Sequence, residues 1–332
     1  MSSINSSARQ VPAWFGPAMV FAGGICIGFA PIGLRLGLEE LGPQAIAFWR
    51  YVFALPVLFL ILLLTQKRLP GRPNRFIIIA GICFATEIGL WHWSLTFTTV
   101  SNATFIVSLG NLCAGLTAWI FLKIRPTIFW GIAIVLAIIG AAALTLGGPQ
   151  DPVVDHAISD GNANAVLDII LKYKGELLAF AAAILVSGYI VASNVARRSI
   201  GGIEAIFWLT FVEIIVAAML VLAFRESFMP ATMAGFVVPL FLALVVQVGG
   251  QGLIVLGLGH TPASIAGVLL VVQPVVAAAI SWQLFNEPLS AMQAGGAVLI
   301  LVAIVISQRG KPRSNSDSAS KPSQDSLKAS SN

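Results

Sequence analysis

The chain has 332 residues, of which 58% are hydrophobic and only 10% are charged, and its mean hydropathy is +0.91. Soluble domains carry about 25% charged residues, so this composition excludes a soluble protein and indicates a helical membrane protein. The formal net charge of +5 is spread over many loops. Because a nucleic-acid-binding patch would concentrate on one face, we expect no nucleic-acid partner.

Ten apolar stretches follow one another along the chain. Each approaches the roughly 20 residues that an α-helix needs to cross about 30 Å of hydrocarbon. We therefore predict an all-α polytopic membrane protein with ten transmembrane helices, at residues 14–36, 42–65, 75–97, 100–122, 126–146, 176–198, 202–224, 236–258, 262–285 and 288–307.

The ten stretches form two sets of five. We predict a first five-helix repeat at 14–146, an external acidic linker at 147–175, a second five-helix repeat at 176–307 and a disordered cytoplasmic tail at 308–332. The aspartates of the linker do not have the spacing of a calcium loop, so we interpret the linker as solvated and expect no metal. The Ser- and Lys-rich tail is typical of disordered segments.

Lysine and arginine are concentrated on one side of the predicted bundle. They cluster at residues 67–75, 123–125, 197–198 and in the tail, and counting ten spans places these clusters on the side of the N-terminus. The opposite side carries far fewer, at Arg35, Lys172, Lys174 and Arg225. Because cytoplasmic loops are enriched in Lys and Arg, both termini are predicted to be cytoplasmic.

The two sets of helices also repeat in sequence. Residues 45–49 read Ala-Ile-Ala-Phe-Trp and residues 205–208 read Ala-Ile-Phe-Trp. At an offset of 162 residues, Thr99 corresponds to Thr261, Asn111 to Gln273 and Pro126 to Pro288. Five spans per repeat is an odd number, so the second repeat is predicted to be inverted. Inverted repeats recur in secondary transporters, with the substrate site at mid-membrane between the halves.

Two stretches carry a resemblance to a known family. Residues 93–126, and more clearly residues 259–289, resemble the EamA units of the drug/metabolite transporter superfamily. In that family a proline kinks the fourth and ninth spans and an acidic residue ends them. Pro274 and Glu287 match this pattern in the second repeat.

The first repeat departs from that pattern, with Leu112 at the proline position and Arg125 at the acidic position. The resemblance therefore assigns the proline kink and the acid to the second repeat and cannot assign them to the first. The resemblance covers residues 14–307 and is greatest to the YddG-type bacterial amino-acid exporters. It implies a multi-pass protein of the bacterial inner membrane that moves a small molecule without a cofactor.

Four polar residues lie near the middle of predicted spans, namely Glu87, Asn111, Gln247 and Gln273. They occur in the third and fourth spans and in the spans that correspond to them in the second repeat. A charge at such a depth costs at least about 2.5–3.5 kcal/mol without a partner or a wet cavity. We interpret the set as lining a central cavity. The alternative is interhelical hydrogen bonding, worth about 0.6–2 kcal/mol per contact.

Further polar residues fall on the same helical faces. Ser108 lies near Asn111, Gln251 is one turn from Gln247, and Ser187 and Tyr189 lie in the sixth span. These are candidate substrate-binding residues as well, although hydroxyl groups in spans also bond to carbonyls of their own helix. Pro274, Gly249 and Gly250 are candidate bending or gating residues.

Charged and aromatic residues complete the candidate site. Glu87 and Trp91 are four residues apart and share a face, with His92 beside them, so a carboxylate next to an indole could bind an ammonium group. The alternative is that Trp91 and His92 belong to an aromatic belt at the interface. Arg50 and Glu213 are interpreted as structural charges that pair with one another or with helix ends.

The sequence therefore predicts a secondary transporter that exports amino acids, aromatic and other neutral ones included, or similar zwitterionic metabolites by alternating access. The second hypothesis is a proton-coupled drug exporter of the same superfamily. An intramembrane enzyme is the alternative from another class, but metalloprotease and serine-hydrolase motifs are absent from the sequence. The glycine spacings are interpreted as core contacts rather than a dimer seam, so a monomer surrounded by lipid is expected.

Overall fold

The computed structural model describes residues 12, 14–123, 127–147, 172–258, 260–261, 265 and 268–309. Over these residues the regular secondary structure is entirely helical. Eight helices are long and apolar enough to cross a membrane, and two shorter apolar helices follow them. Most of the predicted acidic linker and most of the tail lie outside the described residues, so their boundaries stay predictions.

The ten helices are numbered in chain order and agree with the predicted spans to within a few residues, except for the first part of the ninth. That part falls largely on residues outside the described ones. The helices are α1 Phe15–Gly37, α2 Pro43–Gln66, α3 Arg75–Ser94, α4 Val100–Leu122, α5 Ile128–Leu146, α6 Lys174–Ala196, α7 Gly202–Ala223, α8 Met233–Gly257, α9 Val272–Phe285 and α10 Ala291–Arg309.

The helices pack with the symmetry that the repeat predicts. Helix α1 packs along α8 and α9, and in the same way α6 packs along α3 and α4. Three further pairs join helices at corresponding or symmetry-related places, namely α2 with α7, α4 with α9 and α5 with α10. If each helix of the first repeat is exchanged with the corresponding helix of the second repeat, every pairing in this set either stays the same or becomes another pairing of the set. The fold is therefore the predicted polytopic bundle of two five-helix repeats, related by a pseudo-twofold axis.

The repeated Ala-Ile-(Ala)-Phe-Trp motif makes the same contact in both halves. On α2, the indole Nε1 of Trp49 donates a hydrogen bond to the carbonyl of Phe228, in the loop after α7. On α7, Nε1 of Trp208 donates at 3.0 Å to the carbonyl of Gly71, in the loop after α2. Each tryptophan thus ties its helix to the loop that follows the partner helix, at opposite ends of the bundle.

Replacing either tryptophan with phenylalanine should cost about 0.5–1.5 kcal/mol of unfolding free energy, because each loses one hydrogen bond but keeps an aromatic ring. The two losses should add in the double variant, since the sites lie at opposite ends. Thermal unfolding in detergent would measure them. Trp119→Phe is the matched control, because Trp119 is 46% exposed to the outside of the bundle. A cost no larger than that of the control would contradict the shared role.

Three helices are interrupted. Helix α1 breaks at Phe29, α4 breaks at Leu109, and α9 begins after a turn at Leu270 and Val271. In α9 the cause is Pro274, which has no N–H to offer the carbonyl of Leu270. That carbonyl accepts from the N–H of Gln273 at 3.1 Å instead.

Helix α4 bends at the equivalent level without a proline, so the first repeat has an interruption that the family's proline pattern does not assign to it. The bend coincides with Gly110, where a Cβ atom would lie 1.7 Å from Cγ1 of Val186 and 2.8 Å from the carbonyl oxygen of Ala183. Only glycine allows α4 to lie this close to α6. The first repeat therefore reaches the same shape through close packing.

Helix α8 is irregular in its middle third, where residues Leu242–Gln251 form a π-helical stretch. Within it Gly250 lies against α1, because a Cβ atom there would meet Cγ1 of Ile27 at 2.7 Å. Gly249 lies next to it and faces the carbonyl oxygen of Leu244. Gln247 and Gln251 both belong to this π-helical stretch, in which Gln247 is fully buried and Gln251 lines the central cavity described below.

Candidate functional site

A cavity of about 390 Å³ lies in the middle of the bundle, between the two repeats. Every helix except α5 contributes to its wall. Cavities of about 300–1,000 Å³ are the usual size for small-molecule sites. Most of the wall is apolar, and it contains a small number of polar side chains.

Eight of the candidate residues line this cavity. They come from α3, α4, α6, α8 and α9, so the structure brings together side chains that are far apart in sequence. They are Glu87, Trp91, Ser108, Asn111, Tyr189, Gln251, Gln273 and Pro274. Arg50, interpreted from the sequence as a structural charge, also lines the cavity.

Three other candidates do not line the cavity, and each makes at least one hydrogen bond within the bundle, although Nε2 of His92 is buried without a partner. His92 is fully buried, and its Nδ1 is 3.0 Å from the carbonyl oxygen of Pro43. Ser187 is hydrogen-bonded to the Thr117 hydroxyl at 2.7 Å and to the carbonyl of Ile184 at 2.6 Å. Gln247 is fully buried and belongs to a network of polar side chains.

That network joins α2, α7 and α8. Arg50 donates to Oε1 of Gln247 from Nε at 3.1 Å and from Nη2 at 2.7 Å. Gln247 in turn donates from Nε2 to Oε2 of Glu213 and to Oγ1 of Thr210, both at 3.0 Å. Gln247 therefore bridges Arg50 and Glu213, which are connected through the amide and not by a direct ion pair, and it makes interhelical hydrogen bonds of the kind that the alternative describes.

Glu87 is the carboxylate outside this network. It is 3% exposed, and within the described residues neither of its oxygens accepts a hydrogen bond. Nη1 of Arg50 and Oε2 of Glu87 are both buried without a hydrogen-bond partner. Buried polar groups are almost always bonded, and a buried charge without a partner is costly. These two atoms are therefore charged groups of the wall that a ligand could satisfy.

Aromatic side chains form the neighbouring part of the wall. The rings of Phe84 and Tyr189 are 4.7 Å apart between centroids. Trp91 is 7% exposed, and its Nε1 is buried without a partner. Because Trp91 and His92 are both buried among helices, neither occupies a lipid interface. A flat apolar group would find contacts here next to the carboxylate of Glu87.

The cavity reaches one end of the bundle. Its wall extends to Asn194 and Arg197 at the end of α6 and to Gly202 at the start of α7. At the opposite end the repeats are joined, through Arg35 with Glu287, Ser101 with Ser281, and Asn102 with Gln293. We refer to these as the α6–α7 end and the α9–α10 end.

Sequence reasoning missed parts of this arrangement. Arg197 was counted only as a loop charge, although it lies at the mouth of the cavity. Thr104 lines the wall with a buried hydroxyl that has no partner, and its only signal in sequence was its helical face.

Outside the spans, burial raises the pKa of Glu226, which accepts from the N–H groups of Gln44 and Ala45 at the start of α2.

Comparisons with known proteins agree with the fold. A solved crystal structure superposes on 88% of this chain and 95% of its own chain with a TM-score of 0.58, at 14% sequence identity. At that identity the likeness concerns the fold alone. No curated protein matches the sequence.

The EamA-like transporter family matches the chain twice, at residues 14–146 and 173–308. The two matches coincide with the two five-helix repeats. Together they cover most of the chain, including every residue of the cavity wall. The chain therefore belongs to the EamA-like transporter family and is a multi-pass membrane protein and secondary transporter of small molecules, not an enzyme.

Proposed function

We propose that this transporter exports amino acids, aromatic and other neutral ones included, or similarly small zwitterions. The observation that carries the proposal is that the cavity wall contains two groups of opposite charge without a hydrogen-bond partner, Nη1 of Arg50 and the carboxylate of Glu87. An α-amino acid presents a carboxylate and an ammonium group to such a pair. Its side chain would lie against the apolar and aromatic part of the cavity.

The direction of transport follows from the charge of the loops. The α6–α7 end carries the loops rich in Lys and Arg, which favours a cytoplasmic position for that end and for both termini. The cavity reaches this end, so substrate would enter from the cytoplasm. We therefore propose export across the bacterial inner membrane, the location that the resemblance to the amino-acid exporters of the family implies.

A proton-coupled exporter of cationic drugs is the second candidate, and one observation favours it. The buried charged side chains of the cavity wall and of the network behind it are one arginine, Arg50, and two carboxylates, Glu87 and Glu213, whereas Arg197 at the mouth is exposed. One additional positive charge would balance this group. A proton bound to Glu87 would provide this charge, and a cationic substrate would replace the proton during transport.

Uptake by proteoliposomes should separate the two candidates. The panel contains labelled neutral amino acids, organic cations and sugar phosphates, each with and without a pH gradient. Saturable uptake of neutral amino acids without a gradient is expected, because the proposed pair of charges holds both poles of a zwitterion. Strict dependence on the gradient with organic cations would favour the second candidate. Uptake of sugar phosphates alone would contradict both.

A further inference from the structure

One carboxylate joins the two repeats at the α9–α10 end. Glu287 lies in the connection between α9 and α10, and one of its oxygens is paired with Nη1 of Arg35 near the end of α1. Its Oε2 accepts a hydrogen bond at 3.1 Å from the N–H of Val100, the first residue of α4. A helix N-terminus favours a carboxylate. Glu287 thus holds both α1 and α4 of the first repeat.

The surroundings fix this contact in place. The guanidinium of Arg35 lies over the ring of Phe285, 5.1 Å from its centroid. The side chain of Glu287 is 12% exposed, so solvent screens the ion pair less than it would screen one on an open surface. Asn286, just before it, adopts a left-handed conformation with φ 51° that ends α9 and directs the chain toward α1.

A second set of contacts follows along α4. The hydroxyls of Ser101 and Ser281 are 3.3 Å apart, and Nε2 of Gln293 donates at 3.0 Å to Oδ1 of Asn102. All four side chains are buried. These bonds connect α4 to α9 and α10 across the line between the repeats, so the path from the cavity is closed at this end by polar contacts.

By sequence, the positions of the α6–α7 end that correspond to Glu287 and Val100 carry residues that cannot make the same contact. The offset of 162 residues relates Glu287 to Arg125 and Val100 to Pro262, both outside the described residues. Arginine cannot accept a hydrogen bond, and proline has no N–H to donate. The end of α6 carries Arg197 and Arg198, as the end of α1 carries Arg35. The sequence therefore offers arginine at both of the positions that correspond to Glu287 and Arg35.

We infer that Glu287 and Arg35 are positioning residues of the transport cycle, which hold the α9–α10 end closed and make the carrier rest open at its α6–α7 end. The asymmetry arises because, of the two positions that the repeat relates, only the one at the α9–α10 end carries an acid opposite a backbone N–H at the start of a helix. The inference rests on the cavity being the transport path and does not depend on which substrate is moved.

Thiol labelling of a cavity residue tests this directly. In a variant with Cys26, Cys83 and Cys113 replaced by alanine, Ser108→Cys places a reporter in the cavity wall. Ser227→Cys, in the exposed loop after α7, identifies the side of the membrane on which the α9–α10 end lies. A membrane-impermeant thiol reagent is added on that side, and the rate at Ser108→Cys is expressed relative to Ser227→Cys.

Labelling from that side should be slow in the otherwise unchanged protein. Glu287→Gln and Arg35→Gln should each accelerate it about tenfold, the ratio expected from losing one charge-assisted hydrogen bond. Labelling of the same reporter from the opposite side should fall only slightly, because the state open at the α6–α7 end stays the majority state. An unchanged rate in both variants would overturn the inference, and no substrate is needed to see it.

Glu204→Gln is the matched control. Glu204 also accepts from an arginine, Arg68 at 3.2 Å, and from a backbone N–H, that of Gly71 at 2.6 Å. Its contacts join α7 to the loop after α2 at the α6–α7 end, and they do not cross the cavity. Its substitution should leave labelling from the α9–α10 end unchanged. An equal acceleration by Glu204→Gln would show general loosening of the bundle and would also overturn the inference.

Discussion

Replacing Arg50 with methionine is expected to lower the unfolding free energy by about 3–5 kcal/mol, the usual cost of removing one partner from a buried ionic group. Arg50 is 2% exposed and donates two hydrogen bonds to Gln247, which holds Glu213 on its other side. Without the guanidinium, Glu213 and Glu87 would be left as buried carboxylates without a positive charge nearby. Thermal unfolding in detergent would measure the loss.

Two further variants test whether the loss of stability comes from the buried network. Arg198→Met removes the same side chain from an exposed position just after α6, and it should change stability by less than about 0.5 kcal/mol. Adding Glu213→Gln to Arg50→Met should recover part of the lost stability, because it removes one uncompensated carboxylate. If Arg50→Met were as stable as Arg198→Met, the buried network would not support the bundle.

Much of the fold could be predicted because the bilayer restricts how a chain can cross it. Apolar length located the helices, the odd number of helices per repeat predicted the inversion, and a repeated motif identified α2 and α7 as partners. Trp49 and Trp208 now show a reason for the motif, since each bonds to the loop after the other helix. Apolar length and repetition are properties that a single sequence displays.

The details of the cavity depend on how each helix is rotated, which the sequence does not display. Glu87 and Gln247 occupy similar depths in the corresponding helices α3 and α8, yet Glu87 lines the cavity and Gln247 is bonded behind it. The π-helical stretch of α8 shifts its side chains relative to a regular helix, and no residue type predicts such a stretch. Gly110 bends α4 through its contact with Val186, a distant residue that helical periodicity does not identify.

Glu87→Gln is expected to reduce transport at least about tenfold while leaving stability unchanged or slightly improved. The amide keeps the shape of the side chain but removes the negative charge, which we propose binds the ammonium group of the substrate. Because no hydrogen bond within the described residues supports Glu87, losing its charge should not weaken the bundle. Glu39→Gln, at an exposed position after α1, is the control and should transport normally.

Exchange of a labelled neutral amino acid by proteoliposomes containing Glu87→Gln, beside the unchanged protein and Glu39→Gln, is the measurement that tests the role of the central cavity most directly. Unfolding temperatures of the same preparations separate loss of function from loss of fold. The cavity proposal predicts that Glu87→Gln loses exchange at an unfolding temperature equal to or above that of the unchanged protein. An unchanged exchange rate with an unchanged pH profile would contradict it.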